Sequence, residues 1–205
     1  MKPHEIEAKS FAIIDAEAGP HNFTPDEWKI VRRMIHTTAD FAYMQMIRIS
    51  NGAVAAGVKA IRNGCTVVTD TNMAKTGIRN GSLATFGARC ECLMADPRVA
   101  VKAKERGVTR AHVAVEEAAH MMENGIYVVG NAPTALLRLL EMIKKKEAAP
   151  ALVVGLPVGF VNAAESKAAL VETNIPYISN VGRKGGSNVA ASVINALALI
   201  AGERT

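Results

Sequence analysis

Arg33 and His36 stand three residues apart in Val31-Arg32-Arg33-Met34-Ile35-His36-Thr37-Thr38-Ala39-Asp40. On a helix that spacing sets a guanidinium and an imidazole on neighbouring parts of one face. Imidazoles exchange protons near neutral pH, and a guanidinium holds a carboxylate or phosphate in a planar fork. The pair therefore reads as a site for an acidic ligand. The plainer alternative is a solvated arginine and a histidine that favours the negative end of the helix dipole. Spacing alone leaves both open.

The element that must carry them is a helix. Thr24 can cap it, Pro25 suits its first position and Glu27 completes a capping box. Trp28, Val31, Met34 and Ile35 recur at helical spacing as its buried stripe. From Phe41 to Ser50 apolar residues alternate, which favours a strand. A helix capped at Asn51 then stops at Asn63-Gly64.

Short apolar strands alternate with helices beyond that point. The strands are Cys65–Asp70, a stretch within Leu83–Leu93, Ile126–Gly130, Ala151–Gly155 and Pro176–Asn180. Helices open at Asp96-Pro97, at Thr109 (running to Asn124-Gly125), at Asn131-Ala132-Pro133-Thr134 (to Lys146), around Glu165-Ser166-Lys167, and after Gly182–Ser187. Such a rhythm gives an α/β fold whose mainly parallel sheet is covered on both faces. Right-handed crossovers put the loops after Asp70, Gly130, Gly155 and Val181 on one edge, where ligands of open sheets bind. No linker divides the 205 residues, so 1–205 is read as a single domain.

Two of those junctions have anion chemistry. Gly130-Asn131-Ala132-Pro133-Thr134 is either a well-formed helix cap or a set of exposed N–H groups with Thr134 facing an anion. Gly182-Arg183-Lys184-Gly185-Gly186-Ser187 adds to its three glycines two cations and, in Ser187, a hydroxyl that can cap the following helix or donate, which favours carboxylate or phosphate binding. It is neither a Walker A loop nor a dinucleotide fingerprint. Glu165 is a base candidate, although a surface pair is the commoner fate of such a residue.

Composition narrows the partners. A net charge of +5 fits an anionic ligand, but with 4% aromatic residues nothing resembles the basic and aromatic patch of a nucleic-acid binder. The basic run Lys144-Lys145-Lys146 ends a helix, where it complements the dipole. No apolar run approaches a membrane span, and Met1–Glu5 lacks a signal core, so a cytoplasmic protein without membrane or nucleic-acid partners is expected. Cys65, Cys90 and Cys92 form neither a disulfide framework nor a metal-ligand pattern, so reduced thiols and no metal site are expected.

The blocks Ser10–Ile14, Arg33–His36, Asp70–Met73, Gly130–Leu136, Gly155–Lys167 and Gly182–Ser187, in that order, resemble the precorrin-8X and cobalt-precorrin-8 methylmutase family of cobalamin biosynthesis. The likeness runs from Ser10-Phe11 to Asn195. It implies a three-layer α/β/α sandwich and typically a homodimer. The implied activity is an isomerase that moves a methyl group within ring C of a corrin precursor, giving hydrogenobyrinate or cobyrinate. The family's acid/base histidine falls on His36, its substrate-contacting serine on Ser10 and its neighbouring arginine on Arg33. A shift along a conjugated ring needs the right tautomer and a held geometry, with no redox cofactor. Substrate carboxylates would explain the basic rim of Arg33, Arg183 and Lys184 and the helix starts at Asn131, Thr134 and Ser187. Hand-over to neighbouring pathway enzymes fits such a labile substrate, and a non-catalytic corrinoid carrier is the competing reading. One departure stands out: the family commonly has glycine where Ala39 precedes Asp40, so a positive φ there would strain Ala39.

Overall fold

The computed structural model describes residues 2–203; Met1, Arg204 and Thr205, at the ends of the 1–205 span, lie outside the described residues. In chain order the elements are α1 (Pro3–Ala18), α2 (Pro25–Thr38), α3 (Tyr43–Met46), β1 (Ile47–Ile49), α4 (Ala53–Arg62), β2 (Thr66–Thr69), α5 (Asn72–Gly77) and α6 (Asn80–Ala84). They continue with β3 (Arg89–Glu91), α7 (Pro97–Arg106), α8 (Arg110–Glu117), β4 (Ile126–Val129), α9 (Pro133–Lys144), β5 (Leu152–Gly155), α10 (Ala163–Val171), β6 (Tyr177–Asn180) and α11 (Ser187–Gly202).

The six strands form one sheet in the order β1-β6-β5-β4-β2-β3. All neighbours are parallel except β1, which runs antiparallel to β6 with Ile47 opposite Asn180. Period-two alternation feeds two cores. Val67, Ile126, Val128, Leu152, Val154 and Ile178 face the helices α1, α2, α4, α6 and α11. Val68, Tyr127, Val129, Val153 and Tyr177 face α8, α9 and α10. Each fully buried aliphatic side chain in these layers contributes roughly 1.5–3 kcal/mol. The result is the three-layer α/β/α sandwich with a mainly parallel sheet.

The order of strand addition reverses at β2, with chain direction kept: β3 lies on one side of β2, and β4 starts the march toward β6 on the other. That switch point opens at the carboxyl ends of the strands, where the loops after Thr69, Val129, Gly155 and Asn180 all emerge.

Three local expectations are corrected. Phe41–Ser50 is a strand only over Ile47–Ile49; Tyr43–Met46 is a helical turn. The Asp40 carboxylate accepts the Ala42 N–H at 2.9 Å and turns the chain. Phe41, Tyr43, Met44 and Met46 then pack on one core regardless of parity, so the alternation marked no face. The helix capped at Thr109 stops at Glu117, and a 3-10 turn at Ala119–Met121 precedes Asn124, which has a positive φ. The helix before Asn63-Gly64 is not capped by Asn51: Gly52, with φ 76°, holds the cap position of α4 and no side-chain hydrogen bond closes it. At other starts side-chain caps form as expected. Thr24 and Glu27 form a reciprocal capping box, and Asp96 and Thr109 cap α7 and α8.

Candidate active site

His36 sits on the last turn of α2 and is exposed. Its ring meets Phe11 of α1 edge-on, with centroids 5.1 Å apart. Phe11 also receives Arg33, whose Cζ lies 4.8 Å from the ring centroid, and Arg32 at 4.4 Å. Arg33 is only 8% exposed and donates to Glu7 Oε1 at 2.6 Å. Burial works to raise the Glu7 carboxyl, but the hydrogen bond and field of Arg33 outweigh it and hold it below the usual range. Arg33 is thus a paired, buried cation bordering a cavity of about 250 Å³ with Glu7, Phe11 and Leu199, and not an open fork. Ser10 follows on α1, its hydroxyl donating to the Ile6 carbonyl at 2.9 Å.

The α2 helix ends on Ala39, which has φ 52° and ψ 32° and donates its N–H to the Ile35 carbonyl at 2.7 Å. The left-handed turn, which glycine adopts without strain, is here made by alanine. It delivers Asp40 to the carboxyl edge of the sheet, where Asp40 forms an ion pair with Lys184. His36 and the Gly182–Ser187 loop, 146 residues apart at the nearest, are thereby joined through one turn.

That loop is exposed at Arg183 and Lys184. The four loops of the carboxyl edge are stitched to one another. Asp70, after β2, accepts the N–H groups of Gly130, Asn131 and Ala132 at 2.8, 2.8 and 2.7 Å. The Thr71 and Ser187 hydroxyls lie 2.8 Å apart. Gly186 donates its N–H to the Leu156 carbonyl, and Gly159 donates to the carbonyl of Arg183. Glycine is required where these strands of loop touch: a Cβ on Gly185 would lie 2.3 Å from the Leu156 carbonyl oxygen, and one on Gly130 2.6 Å from Ser187 Cα.

These contacts correct two readings of the helix starts. The N–H groups at Asn131 are not free for a ligand, because Asp70 already occupies them as an internal anion. Burial pushes the Asp70 carboxyl up, and the three amide donors pull it back toward the ionised form. Ser187 does not cap α11; Gly186 holds that position, and the Ser187 hydroxyl is buried against Thr71. The Asn131 side chain remains exposed, and Thr134 Oγ1 lies 3.1 Å from Thr109 Oγ1. Arg33, His36 and Phe11 therefore form one group, with Arg183 and Lys184 joined to it through Asp40; Ser10 precedes Phe11 on α1 with its hydroxyl turned back onto Ile6, and Asn131 and Thr134 lie across the switch point at the start of α9.

Sequence reasoning passed over three features. Lys167 is buried beneath the Gly182–Ser187 loop. Glu7 partners Arg33 one turn before Ser10. Phe160 and Val161 are about four-fifths exposed on the loop after β5, with the Arg183 guanidinium over the Phe160 ring at 5.3 Å. The signal for the last was an apolar run, Val158-Gly159-Phe160-Val161, inside an otherwise open loop. Glu165 is exposed with no resolved role at the site. Cys65 and Cys90 are buried free thiols, pushed up by burial to about 11 and about 12, which keeps them protonated and unreactive.

A three-layer sandwich that gathers an exposed imidazole, basic side chains and apolar side chains at the carboxyl edge of a mainly parallel sheet has the layout of an α/β enzyme, whose ligands bind at that edge. The precorrin-8X methylmutase family model matches residues 5–200, and the chain belongs to that family. It is 46% identical to the cobalt-precorrin-8 methylmutase of Salmonella typhimurium, over 96% of this chain and 95% of the relative. It is 42% identical to that of Leptospira interrogans, over 97% and 94%. The crystal structure of a precorrin-8x methyl mutase from Thermus thermophilus superposes with a TM-score of 0.91 at 48% identity, covering 97% of this chain and 96% of that one. Family membership makes the chain a methylmutase, an isomerase of cobalamin biosynthesis.

Proposed function

We propose that this protein moves a methyl group from an α carbon of ring C to the adjacent β carbon of precorrin-8X or its cobalt counterpart, with His36 as the acid/base group. The observation that supports it is the placement of His36: an exposed imidazole packed on Phe11 and tied through Asp40 to the basic loop of Arg183 and Lys184. Protonation of the macrocycle by the imidazolium withdraws electron density from ring C. The methyl then migrates with its bonding pair, the conjugated system shifts, and the proton returns to His36. Atoms and charge balance without an external reactant.

Substrate carboxylates meet Arg183 and Lys184, with the Asn131 and Thr134 side chains at the far side of the rim. Ser10 and Arg33 set the histidine end of the site; Arg33 acts there through Glu7 and Phe11. Phe160, Val161 and Met73, all largely exposed at the carboxyl edge, supply apolar surface for the flat face of the ring. The chain works as one methylmutase domain and as a homodimer. Exposed Ile6 and Ile13, seven residues apart on α1, together with Leu199 of α11, support a self-association surface. Free thiols at Cys65, Cys90 and Cys92 fit a cytoplasmic setting, where a labile product passes to the next corrin enzyme.

The test is incubation with metal-free and cobalt-containing precursor while following the absorbance change of the rearranging chromophore. Turnover of either substrate is the expected result. Tight product binding without turnover would instead mark a corrinoid carrier.

A further inference from the structure

Lys167 is 1% exposed, in the middle of α10, with its ammonium group under the carboxyl edge of the sheet. Its Nζ donates to the backbone carbonyl of Lys184 at 2.6 Å and to Asn180 Oδ1 at 3.2 Å. Asn180, 0% exposed at the end of β6, donates its own amide to the same Lys184 carbonyl at 2.9 Å and to the Val181 carbonyl at 3.1 Å. One carbonyl in the middle of the basic loop is therefore gripped by two buried donors. Both acceptors of Lys167 are neutral, and burial pulls its pKa down to about 8.

Burying an amine among neutral partners is unfavourable, and an apolar residue of similar length would serve packing better. Its neighbour Ser166 shows the contrast, since that hydroxyl only closes onto the Ala163 carbonyl of its own helix. The geometry of Lys167 reaches outside its helix to a loop whose two cations, Arg183 and Lys184, face solvent.

We propose that Lys167 is a positioning residue of the methylmutase reaction: by holding the Lys184 carbonyl from beneath, it aims the Arg183 and Lys184 side chains at the carboxylates of the substrate. This rests on the methylmutase reading of the site. Lys167 touches no substrate atom; it acts through the loop.

The measurement compares Lys167→Met, Lys184→Ala and the double variant for folding, product affinity and turnover. Lys167→Met is expected to fold, to raise KM and weaken hydrogenobyrinate binding about tenfold, as loss of a charge-assisted support does, and to leave kcat within about twofold. In the Lys184→Ala background its effect should shrink, because both act on one loop. Should Lys167→Met not fold, Lys167→Gln is measured in its place. Wild-type affinity in the variant, or a loss that falls on kcat and adds fully to that of Lys184→Ala, overturns the proposal. Wild-type protein that binds product without turning precursor over would count against the methylmutase reading alone, and the affinity comparison would still decide the role of Lys167.

Discussion

Asp40 and Lys184, 144 residues apart, meet in an ion pair that fastens the turn after His36 to the basic loop after β6. Asp40 also accepts the Ala42 N–H, so one carboxylate fixes both the local turn and its long-range partner. Its carboxyl is held below the usual range, first by the Lys184 hydrogen bond and then by the Ala42 amide. Half-exposed pairs of this kind contribute little to stability, about 0.5–1 kcal/mol. Asp40→Ala should therefore change the melting temperature by no more than a few degrees while lowering kcat/KM about tenfold through loss of orientation. A variant with unaltered kcat/KM would show that the turn does not position the site.

Asp70 is the opposite case. Three backbone donors converge on a carboxylate that is 1% exposed, and it joins the two loops at the switch point. Asp70→Asn sets an amide NH2 against those donors and leaves at least one of them unsatisfied. A loss of about 3 kcal/mol is expected from charge-assisted bonds replaced by an unpaired buried donor. Denaturant unfolding checks it; a midpoint equal to that of the wild type would mean the loops are held without Asp70.

Ala39 carries backbone strain that glycine would not. Its φ of 52° costs an L-residue roughly 1–2 kcal/mol, against roughly 0.5–1 kcal/mol of extra chain entropy for glycine. Ala39→Gly should stabilise the protein by about 0.5–1 kcal/mol and raise the melting temperature by about 2 °C. A fall in melting temperature would show that Ala39 packing outweighs its strain.

Away from the site, Glu116 of α8 binds Arg106 of α7 and Arg138 of α9, with His112 Nε2 at 3.3 Å. Arg106 is the main cause of a carboxyl pKa lowered to about 2, against the burial that would raise it. A depressed folded pKa means stability present above pH about 4.5 and lost as pH falls toward about 2. Allowing for solvent screening, about 1–2 kcal/mol is at stake. Glu116→Gln should be less stable than wild type by that amount at pH 7, with the gap closing by pH about 2. A gap that stays constant across this range would assign the loss to packing and not to charge.

The layers of the fold were legible because buried parallel strands read as apolar runs and helix starts carry side-chain caps. The Thr24–Glu27 box and the Asp96 cap are local chemistry, so a short window contains the whole signal. The four loops of the carboxyl edge were likewise placed together by handedness alone. What the sequence hid is non-local. The anion that satisfies the Gly130–Ala132 amides comes from Asp70, sixty residues away, and no window around Gly130 contains it. Ser187 looked like a cap, but its hydroxyl goes to Thr71, leaving Gly186 at the helix start. The Phe41–Met46 alternation misled because the Asp40 side chain turns the backbone before a strand can form. Lys167 was visible as a lysine and invisible as a buried one, since burial depends on the loop that folds over it.

The role of His36 is tested most directly by His36→Ala, assayed for isomerisation of precorrin-8X or cobalt-precorrin-8 and for binding of the product. The imidazole is exposed and its ring contact is the edge of Phe11, so the fold should survive its removal. The expected result is a correctly folded variant that still binds product and has lost turnover by at least about a hundredfold, the usual contribution of a general acid/base group. Turnover close to wild type in a folded His36→Ala protein would contradict the assignment of proton transfer to His36.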